Sequence, residues 1–198
     1  ALESGIEKVV YTSTVGCIGL PDDSSFANEN QTMNSSFLCN DYKLSKYQAE
    51  QVALEFFGRG LAIVIVNPST PVGPRDIKPT PTGKIILDFM NHKMPAYIDT
   101  GLNLIDVNDC ARGHILAEEK GQPGERYILG NKNMSLKEIL LALETITGIK
   151  APRIKMPYWV AYATGLACEW VSDSITHRPP PVPLAGVKMA KHFMYFDS

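Results

Sequence analysis

Runs of apolar residues separated by polar segments predict alternating strands and helices along the first third of the chain. Lys8 to Ser13 has the pattern of a buried strand, and Leu61 to Val66 is apolar without alternation. The second pattern is typical of a parallel strand that is covered on both faces. Between them, a helical pattern begins at Asp41 and ends near Phe57. Strand, helix and strand in this order predict a β-α-β crossover and therefore an α/β fold.

Polar and proline-rich segments flank these elements. Pro21 to Asn40 is rich in Asp, Ser and Asn, which is typical of a long functional loop. Prolines are frequent between Pro68 and Pro81, so we expect regular structure to break there and a domain boundary to follow residue 73. Beyond it, the pattern predicts helices at 84–91, 108–120 and 135–147, and extended chain at 97–105 and 126–129. Ser135 and Glu138 have the spacing of a capping box at the start of the last helix.

Composition narrows the range of partners. The 19 basic and 21 acidic residues form no blocks of one sign, so we expect no nucleic-acid partner. The four cysteines lack metal-ligand spacing, which indicates reduced thiols in a cytoplasmic protein and no metal site. Tyr158 to Val171 is too short to span a membrane. We expect it to pack on the protein, with a helix on a membrane surface and a lipid-like substrate as the alternative.

Tyr42 and Lys46 are the first candidates for chemistry. They lie four residues apart, so both project from one face of the predicted helix. A free phenol is a poor base at neutral pH, but a fixed positive charge beside it favours the phenolate. Tyr42 is therefore a candidate for proton transfer. The alternative is a tyrosine packed on the helix with a solvated lysine.

Three hydroxyl residues, Thr12, Ser13 and Thr14, end the first strand. In an α/β fold they lie at the sheet edge where sites form beyond the strand ends. A hydroxyl there can hydrogen-bond a substrate oxygen while Tyr42 moves a proton. The alternative is a turn in which these hydroxyls bond the local backbone.

Four motifs resemble the extended short-chain dehydrogenases/reductases, a group of NAD-dependent epimerases and dehydratases. They are Val9 to Thr14, Tyr42-x-x-x-Lys46, Asn67 to Asp76 and Leu104 to Ala111. The segment from Gly186 to Ser198 more loosely resembles hopanoid-associated sugar epimerases and dihydroflavonol-4-reductase-like proteins. The resemblance implies the C-terminal portion of a doubly wound parallel Rossmann sheet in residues 1–73, followed by a smaller substrate domain. That domain takes most of residues 74–198, with about 104–130 rejoining the Rossmann domain.

The same resemblance implies roles for individual residues. Tyr42 is expected to be the acid/base, Lys46 to bind the nicotinamide ribose, and Thr14 to polarise the substrate oxygen. The cofactor-binding set adds four residues to Tyr42 and Lys46, namely Thr12, Ser13, Pro68 and Ser69. Thr70 and Arg75 are the candidates for substrate contact.

Two features depart from the family pattern. Leu102 stands where nucleotide-sugar epimerases carry an arginine that grips phosphates, which indicates a less anionic or more hydrophobic substrate. Arg75, Arg126 and Arg153 are possible substitutes for it. No G-x-G-x-x-G or G-x-x-G-x-x-G occurs, so the loop that binds the dinucleotide pyrophosphate is expected to lie outside this chain. We therefore expect the chain to be the C-terminal part of a longer enzyme and to be inactive by itself.

The predicted function is that of an NAD- or NADP-dependent oxidoreductase or epimerase. It would act on a hydroxyl or carbonyl carbon of a small sugar-like or dihydroflavonol-like molecule, and a homodimer is compatible with it. The alternative is a non-catalytic NAD(P)-sensing or scaffold protein of the same fold. The triplet Tyr42, Lys46 and Thr14 favours the enzyme, because a scaffold has no use for it.

Overall fold

A computed structural model describes residues 1–21, 25–33, 41–176, 180 and 184–197. Its strands are β1 (Val9–Thr12), β2 (Ile63–Pro68), β3 (Thr70–Val72), β4 (Tyr97–Ile98), β5 (Gly101–Asp106), β6 (Arg126–Leu129), β7 (Lys132–Ser135), β8 (Lys155–Met156) and β9 (Phe193–Met194). Its helices are α1 (Asp41–Gly58), α2 (Pro81–Met90), α3 (Val107–Lys120), α4 (Leu136–Thr147), α5 (Tyr158–Val171) and α6 (Leu184–Met189). Parts of the predicted loop between Pro21 and Asn40 lie outside the described residues.

The chain divides into two compact units. The first contains Ala1–Arg75, Asn103–Lys132 and Tyr195–Ser198, and the second contains Asp76–Leu102 and Asn133–Met194. The chain first passes from one unit to the other after Arg75, whereas the sequence predicted a boundary after residue 73. The sequence did not indicate that the C-terminal residues return to the first unit. There, Ala27 forms an isolated parallel bridge with Phe196.

The first unit contains a parallel sheet in the order β1-β2-β6. β1 and β2 pair in parallel, and α1 lies between them along the chain, which confirms the predicted crossover. On one face of β2, Ile63 and Ile65 pack with Ala53 of α1. On the other face, Val64 and Val66 pack with Ala117 of α3. Both faces of β2 are therefore covered, which explains why its sequence does not alternate.

The proline-rich segment is more regular than predicted. Pro68 ends β2 and Pro71 lies within β3, so the expected break in regular structure is wrong at these positions. β3 is the outer strand of the order β3-β5-β7, where a residue without an N–H is tolerated. α2 also begins earlier than the predicted residue 84, because Thr80 caps it and Pro81 suits the first helical turn.

The second unit has a core of its own, centred on Phe89 of α2 with Leu136 and Leu140 of α4. The start of α4 confirms the predicted capping box: Ser135 Oγ accepts from the Glu138 N–H, and the Glu138 carboxylate accepts from the Ser135 N–H. The predicted extended segment 97–105 is divided into β4 and β5.

Helix α5 covers the predicted segment from Tyr158 to Val171. Ala161 and Gly165 are buried, while Trp159 and Trp170 are 73% and 65% exposed. One face of α5 therefore packs on the protein and another faces solvent. Among the described residues, no helix is both long and apolar enough to cross a membrane.

Candidate functional site

Helix α1 carries Tyr42 and Lys46 in its first two turns, on one face. Tyr42 is 61% exposed. Lys46 Nζ donates to the Thr12 carbonyl at 3.2 Å and lies 5.8 Å from the centroid of the Tyr11 ring. The ammonium is therefore held at the end of β1, while the phenol remains accessible to a ligand.

Thr14 lies directly beyond the end of β1 and caps a short 3-10 helix, Val15–Cys17. Its Oγ1 accepts a hydrogen bond from the Gly16 N–H at 3.1 Å. Its carbonyl accepts from Asn67 Nδ2 at 3.0 Å. The Thr14 hydroxyl oxygen therefore bonds the local backbone, as the alternative interpretation of this segment predicted. Among the described residues this hydroxyl donates to no protein acceptor, so its hydrogen is free to bond a ligand oxygen.

Thr12 pairs with a histidine on α3. Thr12 Oγ1 lies 3.0 Å from His114 Nε2, and His114 Nδ1 lies 2.8 Å from the Cys110 carbonyl. A carbonyl only accepts, so Nδ1 carries the hydrogen of that contact, and Nε2 shares the second hydrogen bond with the Thr12 hydroxyl. The Thr12 hydroxyl thus has a protein partner, and its part in cofactor binding remains a prediction.

Ser13 turns into the protein, where it is buried and donates to the fully buried carboxylate of Glu50. The same Glu50 oxygen accepts from Asn67 Nδ2 at 3.0 Å, and the other oxygen pairs with Arg126 Nη1 at 3.3 Å. The Ser13 hydroxyl thus has Glu50 as its protein partner. The contact of Ser13 with a cofactor stays a prediction.

Glu50 and Asn67 are functional candidates that the sequence reasoning missed. The available signal was spacing: Glu50 lies four residues after Lys46, and so on the face of α1 that meets the sheet. An acidic residue between Lys46 and the buried Ala53 predicts a buried carboxylate with a partner. Nothing in the sequence identified that partner.

Two buried polar atoms near the end of β2 have no hydrogen-bond partner in the part of the chain that the structure describes. The Ser69 N–H donates to the Leu129 carbonyl at 2.9 Å, but Ser69 Oγ is buried and has no partner among the described residues. Asn67 Oδ1 is in the same state. Buried polar atoms are normally satisfied, and ligands bind beyond the carboxyl ends of parallel strands. These two atoms therefore favour a ligand at this edge of the sheet.

The three arginines proposed as phosphate ligands differ in their partners. Arg126 binds Glu50 and donates from Nη2 to the Glu29 carbonyl at 2.7 Å. Arg153 pairs with Glu144 at 3.0 Å. Arg75 is exposed, has a positive φ of 72°, and takes part in none of the ion pairs found among the described residues. Arg75 is therefore the one of the three with a guanidinium available to a substrate.

Burial raises the pKa of the Cys17 thiol, and a hydrogen bond with Ser13 opposes this while the Glu50 charge adds to it. Burial also raises the pKa of the Tyr11 phenol. Both groups are therefore protonated near neutral pH. Neither is poised to act as a base near neutral pH.

Comparison with known proteins gives consistent results. The profile of the NAD dependent epimerase/dehydratase family matches residues 1–130. A putative dihydroflavonol 4-reductase of Synechocystis sp. is 50% identical over 205 residues, which cover 100% of this chain and 59% of that protein. The chain thus spans about three fifths of that relative's length.

Two crystal structures share the fold. The crystal structure of gox2253 superposes with a TM-score of 0.83 at 45% sequence identity. The superposition covers 100% of this chain and 60% of the gox2253 chain. The crystal structure of a nucleoside-diphosphate-sugar epimerase from Pseudomonas aeruginosa superposes with a TM-score of 0.76 at 26% sequence identity. This superposition covers 100% of this chain and 63% of the epimerase chain. These similarities confirm the predicted fold, a portion of a doubly wound parallel sheet with further α/β structure.

Proposed function

Because the chain belongs to the NAD-dependent epimerase/dehydratase family, we propose that it provides the proton-transfer half of an NAD(P)-dependent oxidoreductase or epimerase. The observation that carries the proposal is the arrangement of Lys46 and Tyr42. Lys46 is fixed on the Thr12 carbonyl, one helical turn from an exposed Tyr42. A preorganised cation one helical turn from an accessible phenol supports proton exchange with a bound substrate.

The three predicted catalytic residues divide the work. In the reductive direction, Tyr42 gives its phenol proton to the oxygen of a substrate carbonyl, and Thr14 donates a hydrogen bond to the same oxygen. The Lys46 ammonium stabilises the phenolate that remains. In the oxidative direction, the phenolate takes the proton of a substrate hydroxyl. A reductase stops at the alcohol, whereas an epimerase oxidises and then reduces one carbon, so these residues serve both.

The residues at the carboxyl ends of β1 and β2 fit a nicotinamide cofactor. The support is Ser69 Oγ, a buried hydroxyl without a partner among the described residues. It lies beside Pro68, at the position that the family resemblance assigns to the nicotinamide border. When bound, NAD or NADP supplies the hydride donor and acceptor. Lys46 and Tyr42 would hold its ribose, with Pro68 and Ser69 beside its ring.

We propose a small, weakly anionic substrate that is sugar-like or dihydroflavonol-like. Support comes from the relative named as a putative dihydroflavonol 4-reductase, and from Leu102, which offers no charge to a phosphate. Thr70 and Arg75 are the proposed substrate contacts. Arg75 supports the proposal because it is exposed and outside the ion pairs of the described chain.

The test is Tyr42→Phe in the full-length protein, assayed for NADH and NADPH oxidation with a dihydroflavonol and for epimerisation of UDP-glucose. Loss of the phenol proton should lower kcat by about 100-fold or more. Tyr47→Phe removes the same hydroxyl from the same helix on a different face, and should leave kcat near that of the wild type. Equal turnover by wild type and Tyr42→Phe would contradict the assignment of Tyr42 as the acid/base, whereas no turnover by the wild type would favour a cofactor-sensing or scaffold protein.

A further inference from the structure

The groups of the proposed site come from two separate elements. Tyr42 and Lys46 belong to α1, whereas Thr14 belongs to the strip from Thr12 to Thr14 at the carboxyl end of β1. Proton transfer and substrate polarisation need these groups held to within about half an ångström of their working positions. Some interaction must therefore fix the strip to the helix.

Glu50 connects helix α1 to this strip in the interior of the protein. It lies on α1 one turn after Lys46, and its carboxylate accepts the Ser13 hydroxyl, the central side chain of the strip. It also accepts one hydrogen of the Asn67 amide, whose other hydrogen bonds the Thr14 carbonyl. One fully buried side chain thus holds Ser13 directly and Thr14 through Asn67.

The network explains why the residue is an acid. Three donors converge on its two oxygens: the Ser13 hydroxyl, the Asn67 amide and the Arg126 guanidinium. A glutamine has only one acceptor oxygen, so its NH₂ group would face a donor. Burying a carboxylate is costly unless it is paired and fully hydrogen-bonded, and Arg126 supplies the opposite charge.

Arg126 extends the network to the loop before α1. Its Nη2 donates to the Glu29 carbonyl at 2.7 Å, and the Glu29 carboxylate accepts from the Ile128 N–H at 2.9 Å. The ion pair therefore joins the helix of the proposed site, the strip from Thr12 to Thr14 and the described part of the loop. Loss of the Glu50 charge would leave Arg126 tied to the loop alone.

We propose that Glu50 is a positioning residue of the proton-transfer site, which holds the strip from Thr12 to Thr14 at a fixed place relative to Tyr42 and Lys46. This inference rests on the proposed function. Glu50 itself does not touch the substrate; it acts through Ser13 and Asn67. Its replacement should therefore lower kcat more than it raises KM.

The experiment compares Glu50→Gln with Glu55→Gln in the full-length protein, using NADPH-dependent reduction of a dihydroflavonol. Glu55 is exposed on the same helix and serves as the matched control. For Glu50→Gln we expect kcat per folded protein to fall by about 100-fold, as for a misplacement of ~1 Å, with KM little changed. The solvent isotope effect on kcat should rise, because proton transfer becomes more limiting.

Ser13→Ala provides a second variant that keeps the buried charge. It should lower kcat in the same direction, and the double variant should lose less than the two single losses combined, since both act through one contact. Unchanged kcat per folded protein in both single variants would overturn the proposal. So would strict additivity of the two losses.

Hydrogen exchange tests the same proposal without turnover. Glu50→Gln should increase amide exchange at residues 13–17, where the Ser13 N–H bonds the Val66 carbonyl and the Cys17 N–H bonds the Thr14 carbonyl. Unchanged exchange there would overturn the positioning role whatever the kinetics. Full turnover by Tyr42→Phe would instead contradict the proposed function, and the exchange result would still decide whether Glu50 holds the strip.

Discussion

Lys46 is fixed by protein contacts and Tyr42 is exposed to solvent, although the two residues lie one turn apart on the same helix. Lys46 is bound to the Thr12 carbonyl and lies near the Tyr11 ring, so its position is set before any ligand arrives. Tyr42 is largely exposed. A charge fixed in advance needs no reorganisation during reaction, whereas the group that exchanges the proton must be reachable.

The buried thiols give a prediction on alkaline stability. Burial raises the pKa of Cys17 above its ordinary value of 9.0, and burial does the same for Cys110. The native state therefore keeps these protons at a pH where the unfolded chain loses them. This contribution is fully present below the ordinary thiol pKa and is lost as the pH rises through the folded value.

We expect the free energy of unfolding to fall as the pH rises above the ordinary thiol pKa of 9.0, by at most about 1.4 kcal/mol per pH unit for each thiol. Urea titrations at each pH measure it. Cys17→Ala and Cys17→Ser should both flatten the slope, since neither residue titrates, even though their stabilities at neutral pH differ. A slope identical to that of the wild type in both variants would be inconsistent with a protonated buried Cys17.

At the scale of elements, helix α1 combines site and core along one face. Tyr42, Lys46, Glu50 and Ala53 follow each other at helical spacing, from an exposed side chain at the first turn to buried ones near the middle. The same face that presents the phenol packs Ala53 against β2. The sheet and the site are therefore fixed to each other by one helix.

The start of α4 gives a prediction for a single element. Ser135→Ala removes the capping hydroxyl and should lower the free energy of unfolding by about 1 kcal/mol. Ser135→Thr retains a hydroxyl that can accept from the Glu138 N–H and donate to its carboxylate, and should cost little. Lys137→Ala, an exposed change in the same turn, provides the comparison in urea unfolding. Equal effects of Ser135→Ala and Lys137→Ala would show that the cap contributes nothing.

At the scale of the molecule, each unit has its own core. Ile63 and Ile65 belong to a cluster in the first unit, and Phe89 and Leu140 to a cluster in the second. The chain passes from the first unit to the second after Arg75, at a residue with a positive φ. Core damage is therefore expected to act on one unit at a time.

Phe89→Ala is the matching prediction. Removing this buried ring should cost about 3–5 kcal/mol in the second unit. Hydrogen-exchange mass spectrometry should show faster exchange in α2 and α4, with β1 and β2 unchanged. Ile65→Ala should show the reverse distribution. Faster exchange in both units from either variant would contradict separate cores.

The sequence by itself determined the features that depend on neighbours along the chain. The apolar run of β2, the capping box at Ser135 and the spacing of Tyr42 and Lys46 all follow from strand or helix periodicity, and all are present. Helix α2 and strand β3 were predicted less well. Thr80 and Pro81 form a helix start that proline frequency alone obscured, and Pro71 depends on an outer position in a sheet.

Only the tertiary structure decided what Glu50 does. Its partners Ser13, Asn67 and Arg126 lie 37, 17 and 76 residues away, and no periodic pattern links them. The return of Phe196 to pair with Ala27 is likewise a long-range event. A sequence states which side chains are charged, but burial and the position of the opposite charge are set when distant strands meet. For that reason the proposed proton-transfer pair was visible in the sequence, and the buried carboxylate one turn further along the same helix was not.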